Sequence, residues 1–106
     1  MPDSFLPGQY KMLQEKYGEF MEAVGNLGEI ASRQGPIDAK NANLIQLAAA
    51  VGVKAEGAVH SHTRRAMEAG ATPEEIRHAV ILLTSTLGFP AVSMALTWVQ
   101  DVLKQT

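Results

Sequence analysis

Residues 54–75 read KAEGAVHSHTRRAMEAGATPEE, and this stretch decides the fold. Ala, Glu, Arg and Met favour a helix, and Ala55, Ala58 or Val59, His62, Ala66 and Ala69 recur on one side at helical spacing, with Arg64, Arg65 and Glu68 largely elsewhere. Gly70 follows the last periodic residue as a left-handed cap. Thr72-Pro73-Glu74-Glu75 then opens another helix, with Thr72 as N-cap, Pro73 at the first helical position and Glu75 completing a capping box. A helix that stops and another that starts within three residues predicts two helices joined by a tight turn.

The same logic extends outward in both directions. Towards the C-terminus, Ile76, Ala79, Val80, Leu83 and Leu87 predict one helix ending at Gly88, and a last helix from about Pro90 to Lys104 carries Val92, Ala95, Leu96, Val99, Val102 and Leu103. Towards the N-terminus, Asp38 is an N-cap for a helix with Leu44, Ile45, Leu47, Ala48 and Val51, closed at Gly52. Before it, Phe20, Val24, Leu27 and Ala31 mark a further helix, stopped by Gln34-Gly35-Pro36 with Gly35 as a left-handed cap. Gly25 and Gly28 inside it predict a bend or the close approach of another helix, since each costs up to about 1 kcal/mol relative to Ala. Residues 1–17 read as an extended arm leading into a short first helix from about Gln9. Fifteen alanines and no alternating apolar–polar stretch between turn dipeptides leave no hairpin. The expected fold is all-α: a helical bundle of five to six helices forming one domain over residues 1–106.

Composition narrows the function classes. A net charge of −2 argues against a nucleic-acid or anionic-membrane partner, and no apolar run approaches the roughly 20 residues of a membrane span. A start without a basic n-region and an apolar h-region predicts a cytoplasmic protein. The absence of cysteine removes thiolate nucleophiles, disulfides, iron–sulfur clusters and Cys-ligated zinc. Several helices are apolar round more than half their circumference, which predicts self-association, with Leu82, Met94 and Trp98 as interface candidates or, equally, as core.

Three histidines remain as carriers of chemistry. On a helix at about 100° per residue, His60 and His62 point roughly 200° apart and cannot clamp one metal ion. His78 beside Arg77 reads as a solvated surface residue. His62 interrupts a stripe of small residues. An imidazole in such a setting either transfers protons near neutral pH or bonds a backbone carbonyl in the core. Arg65, three residues on, and Lys54 are candidate anchors for a substrate carboxylate; Asn43 either bonds His62 or faces water.

Residues 44–96, from LIQLAAAVG through His62 and RRAMEAGATPEEI to the Gly88-Phe89-Pro90-Ala91 turn, resemble the core of the carboxymuconolactone decarboxylase and alkylhydroperoxidase D-like superfamily. The resemblance implies rings of all-α subunits, trimers or hexamers. In alkylhydroperoxidase D-like members a CxxC pair precedes the histidine and a glutamate on the preceding helix completes a proton relay. Here the CxxC positions fall on Ala55 and Ala58 and the glutamate position on Asn43, so of that set His62 alone is kept. Thiol peroxidase or disulfide reductase activity of the family type is therefore expected to be absent. The decarboxylase branch, which needs no thiol and no cofactor, implies a lyase or isomerase acting on a small carboxylate or lactone. His62 would be the catalytic proton donor, with Arg65, Lys54, Asn43, Ala55 and Ala58 lining the substrate site and no metal. The alternative is a family member without catalysis, serving as a small-ligand binding or assembly module.

Overall fold

A computed structural model describes residues 8–104; the proposed N-terminal arm before Gly8 lies outside them. Among the described residues the chain is helical with no strand. Six helices of nine residues or more correspond to the five to six expected, and a further four-residue helix lies between the last two of them.

The chain divides into two units, residues 1–36 and 37–106. The first holds α1 (Gly8–Lys16) and α2 (Gly18–Ser32), separated by Tyr17, whose backbone leaves the helical region at φ −129° and ψ 50°. The expected apolar spacing of α2 is present, yet Phe20, Val24, Leu27 and Ile30 are all exposed. A Cβ placed at Gly25 or Gly28 would meet nothing within 4 Å, so neither glycine admits a close neighbour as the sequence suggested. Nor does Gly35 form a left-handed cap. Among the described residues those at positive φ are Lys54, Gly70 and Gly88. Polar side chains close α2 instead: Ser32 Oγ donates to the Glu29 carbonyl at 2.6 Å, and Gln34 Nε2 donates to the Ile30 carbonyl at 3.1 Å. These contacts satisfy carbonyls of the last turn, together with the backbone N–H groups of Arg33 and Gln34, which donate to the Ile30 and Ala31 carbonyls at 3.1 and 3.2 Å.

The second unit contains α3 (Ala39–Gly52), α4 (Glu56–Glu68), α5 (Pro73–Ile81), α6 (Thr84–Leu87) and α7 (Phe89–Leu103). Its core is built from Leu47 and Val51 of α3, Val59 and Ala66 of α4, Ile76 and Val80 of α5, and Val92, Ala95 and Val99 of α7. Full burial of a side chain such as Leu47 or Ile76 contributes about 1.5–3 kcal/mol.

The predicted punctuation around α4 and α5 is present. Gly70, at φ 102°, donates its N–H to the Met67 carbonyl at 3.0 Å, and Ala71 donates to the Ala66 carbonyl at 2.9 Å, which is a Schellman end. Thr72 Oγ1 accepts from the Glu75 N–H at 3.1 Å while Glu75 Oε1 accepts from the Thr72 N–H at 2.9 Å. Asp38 caps α3 by accepting from the Asn41 N–H at 2.8 Å.

Three details differ from the sequence reading. First, α3 ends in the same Schellman pattern two residues beyond Gly52: Lys54 donates to the Val51 carbonyl and Ala55 to the Ala50 carbonyl, both at 3.0 Å, with Lys54 itself left-handed at φ 57°. Second, the helix expected from Pro73 to Leu87 breaks at Leu82-Leu83, where the Thr84 hydroxyl donates to the Ile81 carbonyl at 2.7 Å and competes with backbone hydrogen bonding. Third, the buried line of α4 is Val59, Thr63 and Ala66, so His62 stands at the edge of that stripe. Thr63 is fully buried because its hydroxyl donates to the Val59 carbonyl at 2.7 Å. Of the interface candidates, Trp98 is partly buried against the core, while Leu82 and Met94 are exposed.

Candidate functional site

His62 lies on the second turn of α4 and Asn43 on the second turn of α3, two helices that pack closely. The Asn43 amide is anchored first: its Nδ2 donates to the Ala39 carbonyl one turn back at 2.9 Å. That leaves Oδ1 as the acceptor facing His62 Nδ1 at 3.1 Å, so Nδ1 carries the proton and donates. In the neutral imidazole, Nε2 then holds a lone pair.

Burial is the larger influence on His62 and holds its pKa below the ordinary value of 6.5; the positive charge of Arg65, one turn on, lowers it further. At neutral pH the ring is therefore chiefly uncharged, able to accept a proton at Nε2. When protonated it is a stronger acid than free imidazole.

Of the residues singled out in the sequence, the structure brings together His62, Asn43 and Arg65. Arg65 is exposed, with its charge reaching the ring. Ala58 lies one turn before His62 on α4 and is half-buried against the core, and Ala55 is the half-buried N-cap residue of the same helix. Lys54 is exposed on its left-handed backbone, with no hydrogen bond or ion pair to His62.

A second cluster forms on another side of α4, and sequence reasoning missed it. His60 Nε2 is 3.3 Å from Asp101 Oδ2 on α7 and 3.9 Å from Glu56 Oε2 one turn earlier on α4. The i, i+4 spacing of Glu56 and His60 is a visible signal; Asp101, 41 residues further on, carries none. Elsewhere Lys40 Nζ on α3 meets Glu75 Oε2 on α5 at 3.0 Å, and Arg77 Nη2 on α5 donates to Gln100 Oε1 on α7 at 3.1 Å. These are ties between helices around the core.

Comparison with known proteins adds the family. The model of the carboxymuconolactone decarboxylase family matches residues 18–101, which includes α2 as well as the 44–96 core. An uncharacterised protein of Methanocaldococcus jannaschii is 30% identical over 99 residues, covering 92% of each chain. The fold resembles that of a carboxymuconolactone decarboxylase family protein from Legionella pneumophila, solved in its apo form, with a TM-score of 0.77 at 23% identity over 91% of this chain and 86% of that one. Among the described residues no helix is long and apolar enough to cross a membrane. The family model matches most of the chain, residues 18–101, and the chain therefore belongs to the carboxymuconolactone decarboxylase family.

Proposed function

We propose that the chain is a cofactor-free lyase or isomerase acting on a small carboxylated metabolite, with His62 moving the proton and Arg65 holding the carboxylate. The observation that carries this reading is the fixed tautomer: Asn43 holds Nδ1–H, and Nε2 of a ring with lowered pKa is left with a lone pair. A neutral ring suits proton abstraction beside a carbonyl, followed by return of the proton at another carbon, which is isomerisation.

The lyase arm requires the opposite charge state. When a substrate carboxylate pairs with Arg65, its negative charge offsets the guanidinium's repulsion of an imidazolium and raises the affinity of His62 for a proton. The C–C bond to the carboxylate then breaks, CO₂ departs, the electron pair remains as an enolate, and His62 delivers its proton to that carbon. Solvent recharges the ring. No thiol enters either route, in keeping with a chain that has none.

The alternative is a non-catalytic binding or assembly module, favoured by the exposed Leu82, Phe89 and Met94, which a second copy in a trimer or hexamer would cover. To separate the two, small carboxylates and lactones are incubated in deuterated buffer with wild-type protein and with His62→Gln, and CO₂ release and carbon-bound deuterium are followed. The enzyme reading expects turnover or exchange that falls at least about 100-fold in the variant, the usual scale for losing a general acid–base. Equal rates in both proteins refute it, and ligand binding without turnover in either supports the module.

A further inference from the structure

We propose that Glu56, His60 and Asp101 form a binding site for a divalent ion of the zinc class between α4 and α7, separate from His62.

Geometry is the first support. One donor atom from each residue, His60 Nε2, Asp101 Oδ2 and a Glu56 carboxylate oxygen, lies within 4.8 Å of the other two. Metal–ligand bonds of about 2.0–2.2 Å in a tetrahedral site place donors about 3.3–3.6 Å apart. The His60–Asp101 separation of 3.3 Å is already at that value, and the His60–Glu56 separation of 3.9 Å needs only a few tenths of an ångström. The remaining closure falls to Glu56, whose side chain is the freest of the three at 56% exposed, against 26% for His60 and 41% for Asp101. Their open side leaves room for water to complete the coordination.

Charge is the second support. Among the described residues, the ion-pair partner of both Glu56 and Asp101 is His60, with no lysine or arginine joining them. The Nε2–H of a neutral imidazole can donate fully to one carboxylate, leaving the other uncompensated. A dication replaces that proton and serves all three donors. One imidazole nitrogen with two carboxylate oxygens suits Zn²⁺ and its first-row neighbours better than Mg²⁺, which favours an all-oxygen, well-hydrated shell.

The site is distinct from the proton-transfer residues by the same spacing that stops His60 and His62 from sharing an ion. His62 meets Asn43 of α3, whereas His60 meets Asp101 of α7. An ion here would cross-link two helices that both carry the core.

Chelator-stripped full-length protein is titrated with ZnCl₂ by calorimetry, with CoCl₂ for its visible ligand-field spectrum and MgCl₂ for comparison. The proposal expects one equivalent of Zn²⁺ per chain, Co²⁺ absorption showing a nitrogen–oxygen donor set, and much weaker Mg²⁺ binding. At 100-fold excess over Kd, the folded-to-unfolded ratio should rise about 100-fold. Affinity should fall at least about tenfold in His60→Ala and in Asp101→Asn, and Glu56→Gln serves if either fails to fold; His62→Gln should bind as wild type does. Absence of Zn²⁺ binding, binding that survives both ligand substitutions, loss of binding in His62→Gln, or equal affinity for Mg²⁺ would overturn the proposal.

Discussion

Replacing Asn43 by Asp puts a carboxylate where an amide oxygen now sits 3.1 Å from His62 Nδ1, and the consequence for the ring is computable. Two unit charges about 4 Å apart interact by about 4 kcal/mol at an effective dielectric of 20, equivalent to roughly three pKa units. His62 and Asn43 are both only half-buried, so solvent screening reduces this to about one or two units. Wild-type His62 is held below 6.5, and Asn43→Asp should raise its pKa from that position. Asn43→Leu is the control: it removes the acceptor without adding charge, so the pKa should stay below 6.5 while the preference for a protonated Nδ1 is lost. Ring ¹⁵N shifts followed by NMR against pH, with His60 and His78 replaced by Gln, report both quantities for His62 alone. If Asn43→Asp gives no upward shift, or matches Asn43→Leu, the Asn43–His62 hydrogen bond does not set the state of the ring, and the proton-transfer reading loses its support.

The two Schellman ends make a paired stability test. Gly70→Ala forces a Cβ into φ 102° and should cost about 1–2 kcal/mol, whereas Lys54→Gly relieves a left-handed lysine at φ 57° and should be neutral or stabilise by up to about 1 kcal/mol, both read from urea midpoints. Stability should also depend on pH in two windows. Because the folded pKa of His62 is lowered from 6.5, the unfolded chain binds more protons just below that value, so its contribution is complete above about pH 6.5 and is lost as pH falls; His62→Gln should flatten this window. The Glu75 carboxylate is held below its ordinary 4.5, first by the Thr72 backbone N–H and then by Lys40. Its contribution persists above pH 4.5, is lost as pH falls further, and should be unaffected by His62→Gln.

What the sequence revealed was mainly local chemistry. Thr72, Glu75, Asp38 and Gly70 act on backbone groups three to five residues away, so their partners stand beside them in the chain. Features settled by competition were less legible. Gly52, Val53 and Lys54 all stand near the end of α3, and hydrogen bonding to Ala50 and Val51 selects lysine for the left-handed position although a glycine lies two residues before it. Thr63 is polar by type, but its hydroxyl is satisfied by its own helix and the residue is buried. That choice rotates the buried face and moves His62 to its edge. Asn43 was legible as one of two possibilities, and the Ala39 carbonyl decides between them by fixing the amide. Asp101 was illegible because only the packing of α4 on α7 brings it to His60.

The spacing that weakened the metal reading of the HxH pair is what gives each imidazole its own partner. Two residues apart on a helix is the wrong interval for sharing one ion and the right interval for facing two neighbouring helices. His62 turns to the uncharged Asn43 amide of α3, and burial, with the charge of Arg65 on its own helix, lowers its pKa. His60 meets the Asp101 carboxylate of α7 at 3.3 Å and the Glu56 carboxylate of its own helix at 3.9 Å, surroundings of the opposite sign. One short run of α4 therefore holds a ring kept uncharged and a ring flanked by two carboxylates. Their separation follows from helix geometry, and the difference in surroundings follows from Asn43 of α3 and Asp101 of α7 together with the Arg65 and Glu56 that α4 itself supplies.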